Sequence, residues 1–118
     1  LALAPDSASA TQLLFGVSLR KNDKPNADKY AQLLLKQVKK TDDGLRLISA
    51  RLLKETKTKI ALPVLLGLVK KYPNNTNLLF VQAKRQYENK DYTPALVAIN
   101  RVLEIDPDYI DAYVIKSG

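Results

Sequence analysis

The side chains in this sequence that could do chemistry are nineteen lysines and arginines, twelve carboxylates and six tyrosines; histidine and cysteine are both absent. Their absence removes the Ser/His and Cys/His nucleophile pairs, thiolate and imidazole metal ligands, and the usual proton carrier near neutral pH. Carboxylate or lysine chemistry remains, yet neither of the standard glycine-rich phosphate loops occurs. The expectation is therefore a protein without catalytic residues, cofactor or metal, which binds instead of reacting.

The charges are unevenly placed. The formal net charge is +7, and Arg20 to Lys71 holds fourteen bases against five acids, whereas Asn77 to Gly118 holds five against six. Lys36, Lys39 and Lys40, then Arg51, Lys54, Lys57 and Lys59, then Lys70 and Lys71, could draw phosphates, anionic lipid or an acidic partner through long-range fields. Against that, lysines outnumber arginines fourteen to five. Pairs such as Lys39-Lys40 and Lys70-Lys71 fall where helices end, and there the helix dipole favours cations without any ligand. An electrostatic binder of nucleic acid or an anionic polymer stays as an alternative that these features disfavour.

The elements that carry these residues follow from composition and period. With 118 residues, 46% of them hydrophobic, the chain has material for one packed domain. Its longest apolar run, Ile60 to Val69, is about half of the ~20 residues a membrane-spanning helix needs and contains Pro63 and Gly67. Leu1 to Ala10 has no base and carries Asp6, unlike a signal peptide. The missing cysteines leave periplasm, envelope and cytoplasm all open.

One spacing recurs. Ala27, Ala61 and Ala95 lie 34 residues apart, and Pro5, Pro73 and Pro107 fall on a ladder of the same step, with Lys39 on its proline-free rung. Ala61, Leu65, Leu68 and Val69 share one helical face, as do Ala95, Ile99, Val102 and Leu103, and Pro73 and Pro107 mark the exits. Upstream, Leu45, Ile48, Ser49 and Leu52 at i, i+3, i+4 and i+7 make a second amphipathic segment, which Asp42 could cap.

Helix, short turn, helix and proline turn at this period resemble the tetratricopeptide repeat, most closely in Asp91-Tyr92-Thr93-Pro94-Ala95 running to Leu103-Glu104-Ile105-Asp106-Pro107. The resemblance covers essentially the whole chain. It implies an all-α fold of tandem antiparallel helix pairs stacked into a right-handed superhelical solenoid. Repeats are expected at 8–41, 42–75 and 76–109, with 1–7 as the tail of a preceding repeat and 110–118 opening a further first helix. The family's first-helix columns fall on Leu45, Ile48, Ser49 and Leu52 in the middle repeat. They fall on Leu79, Gln82, Ala83 and Gln86 in the next, where Tyr87 could supply the missing aromatic, and on Thr11, Leu14, Phe15 and Ser18 in the first. Phe15 stands where a small residue is usual, so looser or locally shifted packing is expected there. The repeat style, with Leu-Ala-Leu-Ala-Pro-Asp at a repeat end, also resembles long bacterial arrays, including envelope proteins of exopolysaccharide and PEP-CTERM sorting systems.

In this family the first helices line a concave groove. The resemblance places Gln12, Leu13, Gly16, Leu19 and Arg20 there from the first repeat. Asp43, Arg46, Leu47, Ala50, Leu53 and Lys54 follow from the second, and Asn77, Phe80, Val81, Lys84, Tyr87 and Glu88 from the third. Aliphatic and aromatic positions interleaved with cations suit an extended peptide or amphipathic helix with apolar anchors and acidic groups. For Leu13, Leu47 and Val81 the competing reading is burial between repeats. The lysine, asparagine and arginine with which chaperone-binding members hold a terminal carboxylate are not matched at Gln12, Gly16, Leu47, Asn77 and Val81. Nor do Gln12, Arg46 and Phe80, which share a column, repeat the polar code of base-reading helical repeats. The expected function is a non-catalytic scaffold for a protein or peptide partner. A spacer, or pairing of chains through exposed terminal repeats, is the structural alternative.

Overall fold

The computed structural model describes residues 8–117, and every regular element among them is an α-helix. In chain order these are α1 (Ala8–Arg20), α2 (Lys24–Gln37), α3 (Thr41–Lys54), α4 (Ala61–Lys71), α5 (Thr76–Glu88), α6 (Tyr92–Ile105) and α7 (Ile110–Ser117). The expected repeat tail at 1–7, with Pro5, lies outside the described residues. Two compact units divide the chain, one running to Val64 and the other starting at Leu65, so the division falls inside α4.

In the first unit α1 and α2 form a helical hairpin, and α3 packs on both. The turn between α1 and α2 is fixed by backbone hydrogen bonds. Asp23 N donates to Ser18 O (2.9 Å) and Asn22 N to Leu19 O (3.1 Å), while Asn22 takes a left-handed φ of 57°. This is the Schellman ending, which satisfies carbonyls that a helix terminus would otherwise leave bare. Asp23 then caps α2 by accepting from Asn26 N at 3.3 Å, with Pro25 in the first turn, where its missing N–H costs nothing. The α1–α2 turn also fastens the loop after α3. Asn22 Oδ1 accepts from Lys59 N (2.7 Å) and Thr58 Oγ1 (3.4 Å), and Arg20 Nη1 donates to both oxygens of Glu55, a carboxylate with only 7% of its surface exposed.

The start of α3 differs from expectation. Lys40 occupies the cap position without a side-chain bond, and Asp42, the expected cap, sits with Asp43 inside the first turn, where both favour the dipole. Gly44 explains why the helix can begin there. A methyl group on it would meet Leu35 Cδ2 at 2.8 Å and Val38 Cγ2 at 2.9 Å, so α3 approaches the end of α2 closely only without a side chain.

In the second unit α5 and α6 form another hairpin, and α7 packs on both. Its turn repeats the first one bond for bond. Asp91 N donates to Gln86 O (2.8 Å), Lys90 N to Tyr87 O (3.0 Å), and Lys90 has a φ of 66°. Asn22 and Lys90 are 68 residues apart, two steps of the 34-residue ladder. Asn75 caps α5 by accepting from Leu78 N at 3.0 Å. Helices α4 and α6 stop at Lys71 and Ile105, just before the loops that hold Pro73 and Pro107.

Burial follows the same step. Ala27, Ala61 and Ala95 are buried, as are Ala31, Leu65 and Ile99 one turn on, and Leu34, Leu68 and Val102 after that. In the first helices of the pairs, Thr11, Leu45 and Leu79 are buried, and so are Phe15, Ser49 and Ala83. Helix α1 departs from α3 at two positions: Leu14 is 44% exposed where Ile48 is fully buried, and Leu19 is fully buried where Leu53 is half-buried. Ser18 and Ser49, both buried, spend their hydroxyls on the carbonyls of Leu14 (2.8 Å) and Leu45 (2.7 Å) four residues back.

Candidate binding recess

Leu47, Ala50, Arg51 and Lys54 stand at i, i+3, i+4 and i+7 on α3 and therefore share one stripe of its surface. Gln12 and Gly16, four apart on α1, make the facing stripe. Gln12 joins the four α3 residues as the lining of an open recess of about 100 Å³. Gly16 is what lets Arg51 lie beside it. A methyl group there would come within 2.9 Å of Arg51 Cδ and 3.3 Å of Nε, so the arginine stem crosses α1 in the space a side chain would fill.

The chemistry of the lining is one amide, two aliphatic side chains and two cations, with no carboxylate. Two carboxylates near α1 and α3 are engaged elsewhere: Asp43 lies 3.8 Å from Arg46, and Glu55 is held by Arg20. Neither Arg51 nor Lys54 is paired with a carboxylate among the described residues. Such a surface can receive an acceptor-rich or anionic group beside an aliphatic one.

The structure thus brings Gln12, Gly16, Leu47, Ala50 and Lys54 of the expected groove together. Leu13 lies open, 51% exposed beside Leu14. Arg46 is exposed next to Asp43, Leu53 is half-buried, and Arg20 is turned to Glu55. In the second unit Val81 is an interior residue. Phe80, also buried, sets its ring 5.2 Å from that of Tyr109, whose hydroxyl donates to Asn77 Oδ1 at 3.4 Å. Tyr87 packs edge-on against Tyr92 at 5.2 Å, and Lys84 is half-buried. Gln82 and Gln86, the two departures from the repeat pattern, keep buried amide oxygens without a hydrogen-bond partner.

In the sequence Arg51 stands among the surface bases, and no motif marks Tyr109. The signal for Arg51 was Gly16, a glycine inside a helix with no turn to make, but its partner across the helix pair is a tertiary fact. Burial, and then the charges of Asp111 and Asp106, raise the pKa of the Tyr109 phenol above its ordinary value.

The chain matches no protein-family model and no curated protein. No described helix is long and apolar enough to cross a membrane, and no cluster of three or more metal-ligating side chains occurs among the described residues.

Proposed function

We propose that the chain is a segment of a tetratricopeptide-type solenoid that holds an extended peptide or helix of a partner protein, without catalysis. The recess between α1 and α3 carries this reading: four of its five lining residues, Gln12, Leu47, Ala50 and Lys54, are groove positions named by the repeat register. Support for the repeat comes from the two identical helix-ending turns two periods apart and from buried columns at the same step. Leu47 supplies an apolar anchor point, and the α3 cations can orient a partner. Selection of a random display library of short peptides on the whole chain tests it. Enriched peptides should share an aliphatic anchor and lose about tenfold or more in affinity for Leu47→Asp, with helical content unchanged. No enrichment, or enriched peptides that bind Leu47→Asp equally well, would sink the proposal.

A further inference from the structure

We propose that the outer face of α6 is a self-association surface, on which a second copy of this chain lays its own α6 antiparallel about a two-fold axis beside Leu96 and Val97. The surface is independent of the recess, since every residue in it belongs to the second unit.

This face is apolar where the hairpin does not require it to be. Helix α6 buries Ala95, Ala98, Ile99 and Val102, and outside that stripe Tyr92, Leu96 and Val97 are 50%, 43% and 67% exposed. Tyr92 and Leu96 lie one turn apart and Val97 adjoins Leu96, so they form a patch instead of single scattered residues. Sixty-eight residues earlier, two steps of the ladder, the same places hold Lys24, Asp28 and Lys29, with Lys24 Nζ 2.7 Å from Asp28. Hairpin packing thus accepts charge at all three. Val97 shares its column with Lys29 and Pro63, both exposed, so this column is an open one. The exposed Tyr113 of α7 differs: its column holds the buried Leu45 and Leu79, and α7 has no hairpin mate among the described residues.

Charge selects the occupant. From Arg20 to Lys71 fourteen bases stand against five acids, so copies meeting through that stretch repel, whereas Asn77 to Gly118, with five bases and six acids, is nearly neutral. One base and one acid border the patch at each end, Lys90 and Asp91 before it and Arg101 and Glu104 after it. An antiparallel copy sets these two borders against each other, base to acid, as a two-fold contact between identical surfaces requires. A single helical patch is smaller than a standard interface, so the dimer is weak.

Sedimentation equilibrium of the whole chain, from about 10 µM to 1 mM, tests this, with circular dichroism to check that each variant keeps its helical content. The wild-type mass should rise with concentration and level at the dimer. Leu96→Asp/Val97→Lys, which gives α6 the residues that α2 carries, should weaken association about tenfold or more. Val97→Lys and Val97→Glu should each do the same alone, because the axis brings like charges together, and their equimolar mixture should recover the dimer. A wild-type chain monomeric throughout overturns the proposal. So does association that the substitutions leave unchanged, which places the contact on another face. A mass that climbs past the dimer, or a mixture that stays monomeric, overturns the two-fold pairing.

Discussion

Glycine shows how little a residue type says without its surroundings. Gly44 and Gly67 both lie inside helices, where glycine costs about 1 kcal/mol relative to alanine. A methyl group on Gly67 meets nothing within 4 Å, whereas on Gly44 it meets Leu35 and Val38 at 2.8 and 2.9 Å. Gly67→Ala should therefore raise stability by up to about 1 kcal/mol. Gly44→Ala should lower it, because overpacking costs of about 1–3 kcal/mol outweigh the propensity gain. Urea unfolding of the two variants checks the opposite signs, and a stabilised Gly44→Ala would contradict the close approach of α2 and α3. Tyr109 gives a pH-dependent counterpart. Its phenol pKa is raised by burial and then by Asp111 and Asp106, so folding favours the protonated form. That contribution is complete below the ordinary phenol pKa of about 10 and is lost as pH rises through the higher folded value. The difference between wild-type and Tyr109→Phe ultraviolet titrations should show one tyrosine ionising above the ordinary value. A midpoint at or below it would be the contrary result.

Among the elements, the two Schellman turns carry different loads. Lys90 holds a left-handed backbone that costs an ordinary side chain about 1 kcal/mol, and its side chain makes no hydrogen bond, so Lys90→Gly should stabilise the chain by up to about that amount. Asn22 tolerates the same conformation better and also binds Lys59 N and Thr58. Asn22→Ala should therefore cost more than Lys90→Ala, by about 1 kcal/mol, in thermal or denaturant unfolding; equal losses would remove the loop-fastening role. This contrast marks the limit of what was legible in the sequence. Helix exits at Pro73 and Pro107 and the buried alanines at 27, 61 and 95 could be read because they depend on local conformation and period. The start of α3 could not, since the close approach at Gly44 that accompanies it involves the side chains of another helix. For the same reason helical spacing could set Leu47 and Lys54 on one stripe of α3, whereas the seat of Arg51 needed the Gly16 notch, and Val81 could not be told from an interior residue.

Across the whole molecule, charge is the property that separates the two readings of the partner. The net +7 sits mainly between Arg20 and Lys71, where three of the fourteen bases, Lys24, Arg46 and Arg20, lie within 4 Å of Asp28, Asp43 and Glu55. A duplex DNA titration over a range of salt should show weak association without a saturable, sub-micromolar complex. A steep salt slope at high affinity would make nucleic acid the partner.

The duplicated turn has a further consequence for how such a chain can change. Its shape is dictated by main-chain hydrogen bonds, and of the residues at its centre, Lys21-Asn22-Asp23 and Asn89-Lys90-Asp91, only the aspartate coincides. For the bend alone the two triplets are equivalent spellings of one instruction, while Asn22 adds the bonds to Thr58 and Lys59. Exchanging them should leave both hairpins folded, and drift in the letters there can erase sequence likeness between the hairpins while the geometry of the bend stays constant.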